Sequence, residues 1–438
     1  MCYTKVIENS SRSKQQGLSS HLKMMEEFLS KAKECLHAQR GEQMANLMAL
    51  PVFLQFSAQD RALAHEIASK NAKDVARTVY KALQVDQTLS EVVSFRLLAL
   101  AALVKEDFDD AYKNVHAAFG SILDFMGSNV DFPFLAGTLA RLASDLRMIA
   151  VIADGSKAER ERLSSQCLRE CQNSITRAFT LVAKDRLPLT DKNCKKLYLF
   201  SITNTLFKIY FKLNTLQLMG KLIKLVDSPV VMNSLEAFSL CDVVTYKFYV
   251  GRLALFEDRY DEARQCLRFA LQHTPQTPAC LKNRQLILAS LVPVEMCHGT
   301  MPTVVVGQQY GLQDLVDLGD AVQSGNLRAF NDIFASIKVV LIQSGTYLVV
   351  EQLKGLIYRN LFKKIHKITE STRLNLVAFQ TACEWLGESL DLDEIECILA
   401  NLIFENKVKG YLSHQKRILV VGKTDPFPVA SIKRVRMN

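Results

Sequence analysis

Glycine and proline are scarce in this sequence, with 18 glycines and 10 prolines among 438 residues. A mainly β protein needs more turn residues than that, so the composition favours helices. No uninterrupted apolar run approaches the roughly 18 residues that a membrane-spanning helix needs, and the longest runs from about Leu97 to Val104. The first five residues, Met1 to Lys5, contain no apolar signal core. We therefore expect a soluble, reduced, intracellular protein with no membrane insertion.

The motifs of catalysis and metal binding are missing as well. Eleven cysteines are scattered, and no second pair completes a zinc site with Cys167 and Cys171. Gly422-Lys423-Thr424 ends like a phosphate-binding loop, but Arg417 stands where the first glycine is required. A zinc-protease motif would need a second histidine at Ser69. The sequence predicts a protein that is not an enzyme and that has no cofactor or metal.

Two segments share the residue spacing of helical repeats. Tetratricopeptide-like repeats place small residues where two helices approach closely and large residues in the groove beside them. Counted from Gly251 and from Ala99, matching residues recur at offsets 9, 12, 16 and 19: Tyr260, Ala263, Leu267 and Ala270 in one segment, and Phe108, Ala111, Val115 and Ala118 in the other. Pro275 ends the first segment, and Ala321 to Phe334 is a weaker echo. This spacing favours a helical-repeat solenoid, which offers long surfaces to partners.

The pattern changes after residue 370. Asn375 to Leu386 is predicted to be a helix, and Asp391 with Glu394 forms a capping-box pattern before a second helical segment. Lys407 to Leu412 and Ile418 to Val421 then alternate as the two strands of a β-hairpin do. Two helices followed by a hairpin within about 50 residues are typical of a winged helix.

We therefore predict an all-α, TPR-like helical-repeat superhelix followed by a C-terminal winged helix with a small β-hairpin. The predicted divisions are a disordered tail at 1–17, N-terminal repeats at 18–210, the helical part of the C-terminal domain at 211–370, the winged helix at 371–428, and a basic tail at 429–438.

Several blocks of the sequence resemble the PCI-domain-containing subunit family of the TREX-two transcription-and-export complex. The resemblance covers roughly residues 240–428 well and the N-terminal half loosely, and a sister family of signalosome-associated PCI proteins shares much of it. The blocks are Tyr249–Arg252, Phe256–Tyr260, Leu291–Val294, Gly299–Thr303, Tyr358–Lys364, Asp391–Glu394, Ile398–Ile403, Val408–Gln415 and Pro426–Pro428.

The resemblance implies the PCI fold and a scaffold in a ternary core. Its partners would be a larger PCI protein related to the germinal-centre-associated nuclear protein and a small, acidic, disordered protein shared with the proteasome. It further implies contact with RNA or DNA, association with nuclear pores, and a location in the nucleus with some protein in the cytoplasm.

One predicted helix carries the best candidate surface for nucleic acid. From Lys354 to the end there are 14 lysines and arginines against 9 acidic residues, a net charge of +5 within the +9 of the chain. Val350, Leu353, Ile357, Leu361, Ile365 and Ile368 are expected to form a buried stripe, which would leave Arg359, Lys363 and Lys367 in one exposed row. A solvated surface is the ordinary alternative. The candidate nucleic-acid-binding residues are Lys354, Arg359, Lys363, Lys364, Lys367, Arg373, Lys407, Lys409, Lys416 and Arg417.

The second winged-helix helix begins with carboxylates, including Asp391, Asp393, Glu394 and Glu396. A recognition helix presents this end to the major groove, where carboxylates and phosphates repel each other. We therefore expect sequence-tolerant, salt-dependent binding through the basic side of the domain.

A second basic stretch suits a disordered acidic partner with hydrophobic anchors. Tyr198, Phe200, Phe207, Tyr210 and Phe211 lie among its lysines, although an ordinary amphipathic helix would look similar. The candidate acidic-partner-binding residues are Lys195, Lys196, Lys208, Lys212, Lys221 and Lys224.

Two functions therefore remain open. The first is a scaffold of a nuclear mRNA-export complex that also binds nucleic acid. The alternative is a pure protein–protein scaffold subunit of a COP-nine-signalosome-like or proteasome-lid-like complex, which would not need the basic row to be exposed.

Overall fold

A computed structural model describes residues 24–51, 55–129, 132–161 and 165–428 and divides the chain into two compact units after Val243. The predicted tails at 1–17 and 429–438 lie outside the described residues, and the other predicted domain boundaries stay predictions. The N-terminal unit is helical: α1 (described over residues 24–37), α2 (Gly41–Met48), α3 (Ala58–Ala68), α4 (Ala72–Leu83), α5 (Gln87–Val104), α6 (Phe108–Ser128), α7 (Ala136–Glu161), α8 (Gln166–Ala183), α9 (Leu199–Leu213), α10 (Met219–Val226) and α11 (Pro229–Met232).

The C-terminal unit consists of helices and a small sheet, and α12 (Leu240–Phe256) includes the residues at which the chain is divided. Short 3₁₀ turns join elements of the N-terminal unit at Pro133–Leu135, Lys195–Tyr198, Leu216–Leu218 and Leu235–Ala237, and elements of the C-terminal unit at Pro278–Cys280. The remaining elements are α13 (Tyr260–Gln272), α14 (Leu281–Cys297), α15 (Val304–Tyr310), α16 (Gln313–Ser324), α17 (Leu327–Ser344), α18 (Tyr347–Thr369), β1 (Arg373–Asn375), α19 (Leu376–Trp385), α20 (Leu392–Phe404), β2 (Gly410–Ser413) and β3 (Ile418–Val421).

The predicted helical pairs are confirmed, and their steric logic is visible at Gly251. A Cβ atom on Gly251 would lie 2.9 Å from Cγ of Leu267 on α13, so only a glycine permits this approach without rearrangement. Leu267, Ala263 and Ala270 are fully buried behind it. In the second pair, Ala99, Ala111 and Ala118 are fully buried in the same way.

The turns of the three repeat segments share one backbone geometry. The residue two positions before each second helix is left-handed, with φ of 60° at Glu106, 59° at Asp258 and 67° at Gly325. The next residue then donates its N–H to the carbonyl five positions earlier, over 2.8 to 3.0 Å: Asp107 to Ala102, Arg259 to Ala254 and Asn326 to Ala321. This bond satisfies a carbonyl at the end of the first helix, as in a Schellman motif.

The winged helix is also confirmed, including the capping box that Asp391 and Glu394 form on α20. Its hairpin pairs β2 with β3, with Gly410 opposite Val421 and Ser413 opposite Ile418. The prediction missed a third strand: β1 pairs antiparallel with β3 and gives the sheet order β1-β3-β2.

A single hydrophobic core runs through the C-terminal unit from α12 to the residues after the wing. Its largest fully buried side chains include Phe330 of α17, Phe362 of α18, Phe379 of α19 and Phe427. The rings of Phe362 and Phe379 meet edge to face with their centroids 4.5 Å apart. The winged helix is therefore packed against the helical part of its own unit.

Helix α5 is long and apolar enough, by length and composition, to cross a membrane, although 67% of its 18-residue window is buried inside the protein. The prediction from the sequence considered only uninterrupted apolar runs. The 18-residue window of α5 contains two charged residues, Glu91 and Arg96. Arg96 is itself buried and donates 2.9 Å to the carbonyl of Ala49. Burial of this kind is typical of a core helix.

Candidate nucleic-acid interface

Helix α18 positions the candidate residues because its apolar stripe fixes its rotation. Val350, Leu353 and Ile357 are fully buried, and Leu361 and Ile365 are nearly so, as the sequence predicted. The prediction is wrong for Ile368, whose side chain is 82% exposed. The helix ends one residue later, at Thr369, and its last turn has passed beyond the core.

Arg359 does not belong to an exposed row. It is 7% exposed and donates hydrogen bonds to the main-chain carbonyl of Phe427 and to Oδ1 of Asn360. Burial lowers the pKa of this guanidinium, with the charge of Asp425 acting in the opposite direction. The expectation that Arg359 is exposed was wrong because the chain after the wing returns over this side of α18 and covers it. The structural role of Arg359 is to hold that returning segment.

Three lysines of α18 remain accessible and line one groove. Lys364 and Lys367 are exposed and Lys363 is half-buried, and among the residues that the structure describes none of the three forms an ion pair. The groove has a volume of about 360 Å³ and no carboxylate in its lining. It is lined by Gly299, Met301, Gln323, Leu356, Arg359, Asn360, Lys363, Lys364 and Lys367.

Two of the other candidate lysines form ion pairs with carboxylates inside the unit. Nζ of Lys354 lies 3.0 Å from Oε1 of Glu388. Lys407 is buried, and its Nζ lies 2.7 Å from Oε2 of Glu405. Lys407 follows α20 at the point where the chain turns back towards the wing, and its side chain approaches Gly355 on α18. Lys407 is thus part of the internal packing of the unit, whereas Lys354 is partly exposed but paired.

Some basic residues of the wing are paired with carboxylates, and others are exposed. Nη1 of Arg417 lies 2.5 Å from Asp393 and 2.8 Å from Glu396, and Nδ1 of His414 lies 2.9 Å from Glu396. Hydrogen bonding to Asp393 and the charge of both carboxylates raise the pKa of Arg417. The wing therefore contacts two of the carboxylates at the beginning of α20, while Asp391 and Glu394 form its capping box. Arg373, Lys409 and Lys416 are exposed, with Lys409 3.9 Å from Asp425.

The second predicted basic set lies in the N-terminal unit. Lys212, Lys221 and Lys224 are exposed, whereas Lys195, Lys196 and Lys208 are half-buried. Burial lowers the pKa of Lys208, Arg147 acts in the same direction, and Asp242 opposes them.

Three of the five aromatic side chains that interleave with this set are buried, whereas Tyr198 and Phe211 are half-buried. Phe200 and Phe207 are fully buried and Tyr210 is 3% exposed, so the suggestion that they receive hydrophobic anchors is wrong. They belong to the core side of α9.

Sequence reasoning missed a polar junction around Glu388, in the loop between α19 and α20. Its carboxylate accepts hydrogen bonds from Tyr358 and, over 3.0 Å each, from Asn331 and Lys354. Burial alone would raise the pKa of Glu388, but these donors outweigh it and hold the pKa below its ordinary value. No local motif marks this residue, because its three donors come from α17 and α18. Within the described part of the chain, no group of three or more metal-ligating side chains could hold an ion.

Comparisons with known proteins place this geometry in a family. The model of the PCI domain matches residues 334–423, from the middle of α17 to just past β3. The PCI domain-containing protein 2 homolog of Drosophila melanogaster is 37% identical over 78% of this chain and 86% of its own length. The chain belongs to the PCI domain-containing protein 2 family.

Two further members of the family agree. The PCI domain-containing protein 2 of Danio rerio is 35% identical over 78% of this chain and 84% of its own length. The homolog of Dictyostelium discoideum is 33% identical over 79% of this chain and 80% of its own length. Membership of the PCI domain-containing protein 2 family makes this chain a PCI scaffold-type protein.

Proposed function

We propose that this chain is a non-enzymatic scaffold subunit of a nuclear mRNA-export complex. It pairs with a larger PCI protein and a small acidic protein, and together they form a sequence-tolerant platform for RNA or DNA. Its place of action is the nucleus and the nuclear pore, with some protein in the cytoplasm. The family resemblance of the C-terminal half supports the assembly, and the charge of the C-terminal unit supports the nucleic-acid contact.

The groove beside Lys363, Lys364 and Lys367 carries the nucleic-acid part of the proposal. Three neighbouring cations without an ion pair among the described residues repel one another, and a polyanion relieves that repulsion. Lysines that contact phosphates act as point charges and read no bases, so binding through them tolerates sequence and weakens with salt. The acidic beginning of α20, where Asp391, Asp393 and Glu394 are exposed, argues against reading of the major groove.

The test replaces the three lysines with glutamine, whose helix propensity is similar, in K363Q/K364Q/K367Q. Each phosphate contact on a single strand contributes about 0.7 to the slope of log K against log salt. Losing three contacts should reduce that slope by about 2 and the affinity for single-stranded RNA by about 100-fold at ~0.1 M salt. The complex recovered from nuclear extract should retain its protein partners, because these side chains do not pack in the core.

A matched control removes the same charge elsewhere. Lys105, Lys113 and Lys282 are exposed, the first directly after α5 and the others on α6 and α14. K105Q/K113Q/K282Q should bind RNA with nearly the wild-type salt slope. If the two variants lost RNA affinity equally, the effect of the groove lysines would be one of net charge and not of a binding site. Recovery of signalosome or proteasome-lid subunits without RNA would favour the alternative of a pure protein–protein scaffold.

A further inference from the structure

Helix α4 carries a second basic face that the candidate sites do not include. Lys73, Arg77 and Lys81 are all exposed and are spaced four residues apart, so they follow one side of the helix. Tyr80 lies on the same side between Arg77 and Lys81 and is 52% exposed.

Burial of the opposite side of α4 fixes the rotation of the helix and so keeps the basic face towards solvent. Val75, Val79 and Leu83 are all fully buried. Gln84 ends the helix in a left-handed conformation with φ of 54°, and its N–H donates 3.1 Å to the carbonyl of Tyr80. Rotation of α4 would expose all three apolar side chains, so the cations and the tyrosine are held towards solvent.

Positive charge predominates on this face. Among the residues that the structure describes, Lys73, Arg77 and Lys81 form no ion pair. A fourth cation joins them at the end of the helix, where Nζ of Lys33 on α1 donates 2.9 Å to Oε1 of Gln84. The one acidic side chain on α4 is Asp74, in its first turn. The face therefore has an excess of positive charge that an external anion would balance.

From these observations we infer that α4 is a second contact site for single-stranded nucleic acid. Four residues of helix rise about 6 Å, a spacing comparable with that of successive phosphates on an extended strand. Non-specific single-strand sites combine a basic track for phosphates with aromatic rings on which bases stack. Lys73, Arg77 and Lys81 supply the track, and Tyr80 supplies the ring. The inference extends the proposed function to a site in the N-terminal unit.

The same face is poorly suited to an acidic peptide. Acidic partners that fold on binding add hydrophobic anchors to their charge, and anchors need an apolar groove. Val75, Val79 and Leu83 are fully buried, so Tyr80 is the large apolar side chain that α4 offers to solvent. Stacking needs only the exposed ring, which favours a base over an aliphatic anchor.

The experiment measures binding of a fluorescent 12-nucleotide oligouridine to the full chain. K73Q/R77Q/K81Q is compared with wild type, and the same substitutions are added to K363Q/K364Q/K367Q. We expect the α4 substitutions to weaken binding roughly tenfold or more at ~0.1 M salt in both backgrounds. Unchanged affinity would overturn the inference and leave the α18 groove standing. If wild type does not bind oligouridine, the nucleic-acid part of the proposed function fails together with this inference.

Substitutions of Tyr80 distinguish stacking from charge alone. Tyr80→Phe keeps the ring and should bind like wild type, whereas Tyr80→Leu keeps an apolar side chain without it and should lose about fivefold or more. Photo-crosslinking of 4-thiouridine RNA should label the peptide containing residues 73–81. Equal affinities of the two Tyr80 variants, or full competition by polyglutamate of the same length, would overturn the assignment to nucleic acid. Because all four side chains are exposed, thermal unfolding should stay at the wild-type temperature in every variant.

Discussion

The buried guanidinium of Arg359 allows a test of how the segment after the wing is fastened to α18. Arg359→Met keeps the length of the side chain and removes both hydrogen bonds, to the carbonyl of Phe427 and to Oδ1 of Asn360. A hydrogen bond from a charged group contributes about 1.5–3 kcal/mol, and a buried acceptor left without a donor costs about 1–3 kcal/mol. Relief from burying the charge, which lowers the pKa of Arg359, acts in the opposite direction. We expect a net loss of about 2 kcal/mol.

The assay is thermal unfolding followed by circular dichroism, together with hydrogen exchange of the peptide that contains Phe427. In a unit of this size, 1 kcal/mol corresponds to about 2–4 °C, so Tm should fall by roughly 4–8 °C. Exchange should rise first in the segment after β3. Arg359→Lys keeps the charge but has all its donors on one nitrogen instead of on the two Nη atoms of a planar fork, so it should recover only part of the loss.

Binding of RNA gives the result that would refute this reasoning. At a temperature where the variant is folded, Arg359→Met should bind oligouridine within about threefold of wild type, because a buried guanidinium makes no direct phosphate contact. Suppose instead that Tm is unchanged and RNA affinity falls as far as it does for K363Q/K364Q/K367Q. Arg359 would then act as a surface contact, as the spacing in the sequence first suggested.

Two further predictions concern stability. Gly251→Ala places a Cβ 2.9 Å from Cγ of Leu267, so overpacking of about 1–3 kcal/mol should exceed the helix-propensity gain of about 1 kcal/mol. In Gly120→Ala the new Cβ meets no atom within 4 Å, so this substitution should stabilise α6. If urea unfolding gave the same change in the free energy of unfolding for both glycine variants, the repeat geometry would be contradicted. Glu388 has a lowered pKa in the folded state, so its contribution should be complete above the unfolded pKa of about 4.3 and should disappear as pH falls through the folded pKa. Glu388→Gln should make the free energy of unfolding less dependent on pH in this acidic range. A pH dependence identical to that of wild type would argue against the polar junction around Glu388.

The features that could be predicted from the sequence are those that depend on neighbours along the chain. The capping box of α20 needs only Asp391 and Glu394, three residues apart. The repeat pairs need small residues at fixed offsets, and Gly251 fills that place because Leu267 arrives from the next helix. In each case the pattern and its physical cause lie within a short segment.

The errors concern contacts between residues that are distant in sequence. Arg359 is covered by Phe427, 68 residues later, and helical spacing cannot show that the chain returns there. Strand β1 is three residues long and exists because β3 pairs with it. The burial of Lys407 depends on the space that Gly355 leaves on α18. In these places tertiary packing decides which side of an element reaches solvent.

The pairing between the wing and α20 limits where this unit can hold a polyanion. Asp393 and Glu396 engage Arg417, and Glu396 also accepts from His414, so the charge of Arg417 is balanced inside the fold. The other exposed cations of the wing are on or beside different elements: Arg373 on β1, Lys409 before β2, Lys416 in the hairpin turn and Lys423 after β3. Lys363, Lys364 and Lys367 share one helix and one groove instead. Substitutions of these three lysines should therefore change the salt dependence of nucleic-acid binding more than substitutions in the wing.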